Sequence, residues 1–513
     1  MDYLVGIDLG STSLKSIVYD LTGKVVAKAS RPTERHSPDA EHPDWVIWKP
    51  EEIWGGVRDG LKEAIGQIDN ASSIRGVAVT GMGMDGVPID KNGKWLYPFI
   101  SWHCPRTVPQ QQWWEKTIGA ERQFSITGNQ IWAINSALRL LWMREHEPAI
   151  LEKTEKWLLI EDFVNFMLCG EKATDYSMAS NTLLFDQRTR TYSDELLKAS
   201  GVDRSILCDP RPSGTPLGQV HAEAAEATGL PKGTPVVLGG HDFLCGCLPV
   251  GAFEPGVVLD VVGTWEIVVA ATKEPVLTEE VRQMGWWMDS HVARDRYAAM
   301  GSAVSSEMLE WYRSQLGFEE VEKAKAEGKV DWDVLMDQAA SSPPGANGVM
   351  FLPHLSGATI PVPDATSMGA FVGLRSQTKK ADILRAVVEG LNYQSAQIFA
   401  GVEQGLHVRP ETFVAVGGGT SNAFLMQNKA DMLGRPIETP EVEEATPLGA
   451  AILAGIGVGL YANEQEAYER VRKPAKVYEP NKELTAKYAD GFKTFLQIYP
   501  SLKGLNEGLR ALA

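Results

Sequence analysis

Runs of β-forming apolar residues that end in small, polar turns appear twice along this chain, once at its start and once near its middle. Residues 3 to 9 form a β-rich run ending in Gly10-Ser11-Thr12-Ser13. A second run over residues 14 to 20, the turn Leu21-Thr22-Gly23-Lys24 and a third run over residues 25 to 29 complete a predicted β-meander whose first turn is small and hydroxyl-rich. Residues 50 to 68 predict a helix, with Pro50 at its start, Glu51 and Glu52 in the first turn and apolar residues at helical spacing. Residues 74 to 80 read as a buried strand, which makes the pattern α/β. From about residue 105 to 230 the periodicity is helical, with connecting loops and many Trp and charged residues.

Near residue 235 the opening pattern returns. Pro235-Val236-Val237-Leu238 is a predicted strand entering Gly239-Gly240-His241-Asp242. Residues 256 to 262 run as a strand into Gly263-Thr264, and residues 266 to 271 continue as strand. A strand bearing an Asp, then a small-residue turn, then another strand thus occurs at residue 8 and at residue 260, which points to two related halves with a boundary between residues 245 and 255. Further on, a strand over residues 413 to 416 enters Gly417-Gly418-Gly419-Thr420-Ser421-Asn422 and a helix, and residues 448 to 456 form a small-residue helix suited to close packing.

Composition narrows the function classes. The 513 residues are enough for two large domains or three ordinary ones, and 44% hydrophobic with 22% charged residues is an ordinary globular balance. The 49 basic and 66 acidic residues give a net charge of −17, which argues against a nucleic-acid or anionic-membrane surface and for a small ligand in a local pocket. No secretory signal opens the sequence, and no apolar run approaches the ~20 residues of a membrane helix. Five cysteines, Cys104, Cys169, Cys208, Cys245 and Cys247, are too sparse for a disulfide framework and fit a reducing cytoplasm. Cys245 and Cys247 lack the second ligand pair that a zinc site needs.

Asp8-Leu9-Gly10-Ser11-Thr12-Ser13 has the chemistry of a phosphate-binding turn. Backbone N–H groups and hydroxyls are presented by a tight turn, and an Asp at the strand's end suits hydrated Mg²⁺. An ordinary hairpin turn fits the same residues. Asp260-Val261-Val262-Gly263-Thr264 and Gly417 to Asn422 are similarly placed, the latter with glycines that allow close approach to a flat ligand. No GxxxxGK[ST] loop occurs. Gly81-Met82-Gly83-Met84-Asp85-Gly86 matches GxGxxG, but Val87-Pro88-Ile89-Asp90 and the turn Lys91-Asn92-Gly93 predict an extended hairpin where a dinucleotide fold needs a helix. His241-Asp242-Phe243-Leu244 lacks the glycine and the preceding loop of a protein kinase.

Over nearly its whole length the chain resembles the FGGY family of carbohydrate kinases, within the actin, hexokinase and sugar-kinase superfamily. Gly369-Ala370-Phe371-Val372-Gly373-Leu374, seven residues, and then residues 382 to 389 fit that family's C-terminal signature. Residues 136 to 146, with Trp142, Met143, Glu145 and His146, resemble its N-terminal signature, departing at Ile134 and at Arg139, where Lys is usual. The resemblance implies an α/β fold of two actin-like (ribonuclease H-like) domains flanking a catalytic cleft, with residues 1–248 binding sugar and residues 249–513 binding nucleotide. It implies ATP-dependent phosphorylation of a hydroxyl of a small sugar (ketose or deoxyketose) or polyol, with ATP and Mg²⁺ as cofactors, in the cytoplasm, with a homodimer as a candidate assembly. A non-kinase ATPase or a sugar-sensing regulator on the same fold is the alternative.

The family's roles map onto particular residues. Asp242 matches the general base, and Asp8 the Mg²⁺-associated carboxylate. Gly10, Ser11, Thr12, Ser13, Lys15, Gly263 and Thr264 match the phosphate-binding turns, and Gly418 and Asn422 the adenosine-contacting segment. Met84, Asp85, His103, Arg106 and Phe243 match stretches that line the sugar pocket. Asp85 suits sugar hydroxyls as a two-oxygen acceptor, although capping the turn before Gly86 is its other reading, and Arg106 reads equally as a structural ion-pair residue. Phe243 points to a less hydroxylated or deoxy substrate carbon, and Gly263-Thr264-Trp265-Glu266 is similar to the deoxyketose kinases.

Overall fold

The computed structural model describes residues 1–512. Two sheets are built on one plan. In the first, Val25–Pro32, Ser13–Asp20, Tyr3–Leu9, Ile74–Gly81 and Pro235–His241 lie side by side in that order, and Pro216–Gln219 adds an antiparallel edge. In the second, Tyr297–Val304, Trp265–Thr272, Val257–Val262, Thr412–Val416 and Ile437–Pro440 repeat the order, with Trp287–Ser290 and Ala475–Tyr478 at the edges. In each kernel the first three strands of the chain are antiparallel and the fourth and fifth run parallel to the first. The sequence pattern points to two related α/β halves, and this doubled arrangement is the actin-like, ribonuclease H-like architecture that the family resemblance implies.

Alternation along the strands decides what each face meets. Val5, Ile7 and Leu9 pack on one side of the first sheet with Ile53, Val57 and Leu61 of the Pro50–Gly66 helix. Leu4, Gly6 and Asp8 point to the other side, where Leu4 joins a core shared by both sheets. That shared core contains Ala78 and Val237 of the first sheet, Leu259, Val269 and Val414 of the second, and Leu448, Ala451 and Leu453 of the Ala445–Gly457 helix. This helix follows the second sheet's parallel strands in the chain yet packs on strands of the first sheet. Its small residues are what let it fit. A Cβ on Gly6 would collide with the carbonyl oxygen of Pro447, and one on Gly449 would collide with that of Cys245.

The segment expected to be helical with loops contains the helices Val108–Thr117, Ala120–Thr127, Ser136–His146 and Ile160–Cys169, but also short ladders such as Ala173–Asp175 with Asp209–Arg211. The GxGxxG stretch is followed by the strand Gly86–Ile89, paired antiparallel with Lys156–Leu159, and not by a helix. Its glycines have steric reasons: a Cβ on Gly81 would press on Leu9, one on Gly83 on the His241 ring, and one on Gly86 on the Trp157 indole. Among the described residues no helix is long and apolar enough to cross a membrane.

Gly449→Ala is expected to lose about 1–3 kcal/mol or more, because backbone rather than a yielding side chain occupies the space. Gly55→Ala, on a helix face where nothing lies within 4 Å, is expected to gain roughly 0.5–1 kcal/mol from helix propensity. Denaturant unfolding of the two variants checks both signs.

Candidate active site

The ends of the parallel strands converge on the cleft. Asp8 lies one residue before the end of the first strand's pairing, opposite Lys15, and its face is that of Gly6 and the Ala445–Gly457 helix. The Gly10–Ser13 turn is closed by the Gly10 N–H donating to Ser13 O at 3.1 Å, and Thr33 Oγ1 donates to Gly10 O at 2.6 Å. Lys15 reaches across to Glu444, the residue before the Ala445–Gly457 helix, with Nζ 2.7 Å from Oε2. Burial, followed by the charge of Asp242, pushes the Asp8 carboxyl up to about 7, while Lys15 works in the other direction.

Asp242 begins a short helix at the end of the Pro235–His241 strand, with its side chain about a quarter exposed. Its Oδ1 accepts the Phe243 N–H at 2.7 Å and lies 2.9 Å from His241 Nδ1, in contact but off the line of a hydrogen bond. Burial opposes protonation of His241, yet the carboxylates of Asp242, Asp289 and Asp175 outweigh it and raise the imidazole above its ordinary value. Asp289 belongs to the second sheet's edge strand and accepts Asn129 Nδ2 at 2.8 Å and Asn181 Nδ2 at 3.2 Å, tying the two halves together beside His241. Burial raises Asp289 to about 6, with His241 pulling the other way.

Gly263, Thr264, Gly418 and Asn422 line one cavity of about 870 Å³, of a size suited to a nucleotide. The three consecutive glycines have different jobs. Gly417, at φ +98°, and Gly419 pack against Val262 with no room for a Cβ, whereas a Cβ on Gly418 would meet open space. Asn422 Oδ1 accepts the Leu425 N–H at 3.0 Å and caps the Ala423–Leu433 helix. Ser306, Leu309, Trp332, Asp333, Met336 and Asp337 also line this cavity. The Asp331–Ser341 helix that supplies four of them carries no glycine or turn motif, so nothing in the sequence marked it.

Three of the acidic and basic residues singled out in the sequence are buried. Asp260 is two residues before its strand's last pair where Asp8 is one before, so it faces the other way. There, buried Lys429 donates to Asp260 at 2.6 Å and to Glu266 at 3.0 Å. Asp85 is fully buried and offers no surface to a sugar: its Oδ2 accepts Trp48 Nε1 at 2.7 Å, and Arg139 Nη1 is 3.2 Å from its Oδ1. Arg106 is buried too. Its guanidinium lies over the rings of Trp45 and Trp142, 4.2 and 4.9 Å from their centroids, and it makes no ion pair among the described residues. His103 is partly exposed, stacks on Trp102 at 3.7 Å and receives Arg35 Nη2 on Nε2 at 2.8 Å. Desolvation, then Arg35, lowers it to about 4, so it is a neutral acceptor. Met84 is half-buried and Phe243 lies 5.2 Å from the His241 ring. The five cysteines are unpaired, and Cys245 and Cys247 are buried in the shared core.

Comparison with known proteins agrees with this fold. Residues 3–248 match the FGGY family of carbohydrate kinases, N-terminal domain, and residues 259–458 match that family's C-terminal domain. The chain belongs to the FGGY family of carbohydrate kinases. It is 29% identical to L-fuculokinase of Escherichia coli (strain K12), over 94% of this chain and 98% of that protein. It is 31% identical to autoinducer-2 kinase of Yersinia enterocolitica, over 97% and 94% of the two chains. The crystal structure of xylulose kinase from Rhodospirillum rubrum superposes with a TM-score of 0.88 at 28% identity, covering 98% of this chain and all (100%) of that one.

The raised Asp8 carboxyl has a measurable consequence. Between about pH 4 and 7 the folded state holds a proton that the unfolded chain has released, so Asp8 lowers stability as pH rises through that window. In metal-free buffer Asp8→Asn is expected to unfold like the parent near pH 4 and to be more stable at pH 8, by on the order of a few kcal/mol. Thermal melts across pH check the sign.

Proposed function

We propose that this kinase transfers the γ-phosphoryl group of ATP to a hydroxyl of a ketose or deoxyketose, with Asp242 as the general base. The observation that carries the reading is the meeting of Asp8 and Asp242 at the ends of two strands of one sheet, close enough for the charge of one to raise the pKa of the other. A carboxylate held at such a point takes a proton from a hydroxyl, a contribution worth ~10²–10⁴ in rate. Asp242 is accessible to a substrate and is held by the Phe243 N–H and His241, which fixes the direction of its free oxygen.

Buried Asp8, beside a second carboxylate, has the donor chemistry for hydrated Mg²⁺. Asp8 would hold that ion through water, and the ion would supply positive charge against the charge that develops on the transferred phosphoryl group. The backbone and hydroxyls of Gly10, Ser11, Thr12 and Ser13, the ammonium of Lys15, and the Gly263-Thr264 turn orient the phosphates. Gly418, the one glycine of its run without a steric reason inside the protein, and the free amide of Asn422 face the adenosine. Residues 1–248 carry the sugar side through Met84, His103 and Phe243, with Asp85 and Arg106 as supports behind the wall. Residues 249–513 carry the nucleotide side. Phe243 against His241 gives the sugar side an apolar surface near the base, and the similarity to L-fuculokinase keeps deoxyketoses among the candidate substrates.

ADP release with Mg·ATP against a panel of ketoses, deoxyketoses and polyols tests this reading. One sugar is expected to elicit turnover, and Asp242→Asn to lower kcat by about 10²-fold or more while nucleotide binding persists. ADP release that no sugar stimulates overturns it.

A further inference from the structure

The loop that faces both sugar wall and base contains a backbone outlier. Met84 has φ +82°, and the Asp85 N–H donates to Gly83 O at 3.1 Å. A bond from residue i+2 back to residue i, closed around a positive φ, is the strained form of the γ-turn. Such a conformation persists only where its surroundings over-determine it. Two donors from the Ser136–His146 helix do so here. Ser136 Oγ donates to Met84 O at 2.7 Å and Arg139 Nη1 donates to the same oxygen at 2.6 Å. Arg139 is fully buried, and the nitrogen that holds Met84 O is also the one 3.2 Å from Asp85 Oδ1.

We propose that Arg139, seconded by Ser136, is a positioning residue that clamps the Gly83-Met84-Asp85 turn in its strained form and so sets the shape of the sugar pocket. Two walls depend on that turn. On one side Gly83 lies against the imidazole of His241, with a Cβ there only 2.5 Å from the ring, and His241 in turn touches Asp242. On the other side Asp85 holds the Trp48 indole N–H, and Trp48 meets the His103 ring edge-on at 5.9 Å. A relaxed turn moves both walls at once. Lysine cannot replace the arginine fully, because its terminal nitrogen is one bond closer to the backbone and falls short of the point where Nη1 meets the carbonyl and the carboxylate together.

The consequence for substrate rests on the sugar-kinase reading, but the clamp itself is observable without activity. Hydrogen exchange of the Asp85 amide in the full-length protein is the first measurement. Arg139→Lys and the milder Ser136→Ala are each expected to speed that exchange by about tenfold or more while the global melt of Ser136→Ala stays near the parent's. With the sugar found active, both are expected to raise its KM several-fold, roughly threefold or more, and to leave the KM for ATP within about twofold. Met84→Gly supplies a residue for which φ +82° is unstrained. In that background the KM penalty of Arg139→Lys is expected to shrink, a coupling that a double-mutant cycle reads directly. Unchanged Asp85 exchange in both variants overturns the proposal, as does an equal rise in both KM values or an undiminished penalty beside Met84→Gly. If Arg139→Lys does not fold, Ser136→Ala alone decides it. If no sugar supports turnover, the kinase reading falls while the exchange result still judges the clamp.

Discussion

The Ala445–Gly457 helix is the member on which the two halves of this enzyme depend. It sits in a core that both sheets share, and it comes within backbone distance of the first sheet at Gly6 and of the segment after Asp242 at Gly449. Contacts of backbone on backbone leave nothing that can adjust, unlike contacts made by flexible side chains. The helix therefore fixes the height of the strand ends relative to each other. Because Glu444 immediately precedes it and reaches Lys15, the same packing fixes one wall of the cleft. A helix of larger residues would bury more apolar area and hold the sheets too far apart for that wall to form.

Electrostatics at the cleft run against stability. Asp8, Asp242 and Glu444 gather at one end of a sheet with Lys15 as the near cation, and burial of Asp8 adds to their repulsion. A cost of this kind is characteristic of functional sites, where titratable groups are held away from their ordinary values. The contrast within the chain is Lys429, which sits between Asp260 and Glu266 at hydrogen-bond distance. Burial and then Glu266 push Asp260 up to about 7 as well, so the difference lies in place and access: this cluster is closed around its ammonium on the face away from the cleft.

The sequence was most legible where local rules dominate. The first meander, the first two strands of the second, the Pro50–Gly66 helix and the small-residue helix are expressed in runs of a few residues, so period and turn chemistry suffice, and the structure has them within about three residues, whereas Tyr297–Val304, the second meander's third strand, went unread. Signature stretches identified the family for the same reason. What stayed hidden needed the third dimension. Asp85 and Arg106 sit in stretches that line the pocket in the family pattern, but Trp48, Arg139, Trp45 and Trp142 enclose them from distant parts of the chain. Asp289 meets Asn129 and Asn181 across 160 and 108 residues, a separation that no spacing rule detects. Trp332 and Asp337 line the cavity proposed for the nucleotide from an ordinary amphipathic helix. GxGxxG was rightly separated from a dinucleotide fold by its following residues, yet only the packing gives each glycine its reason.

The displaced acid in the second half explains how a duplicated fold makes an asymmetric site. Matching the two meanders from their last paired residues sets Asp8 against Val261, not against Asp260. A one-residue offset on a strand turns the side chain to the opposite face. The first half therefore presents a carboxylate to the cleft, and the second presents Val261 and the turn at Gly263. The second half sets no carboxylate at its strand end, where the turn is closed by the Gly263 N–H donating to Trp265 O at 3.0 Å. An anion approaching the first half meets a carboxylate that favours an intervening cation. Under the proposed nucleotide site, two identical halves would repel the phosphates from both sides or leave the cation held by neither. The offset divides the labour between them, and the burial of Asp260 against Lys429 keeps the second acid from spoiling it.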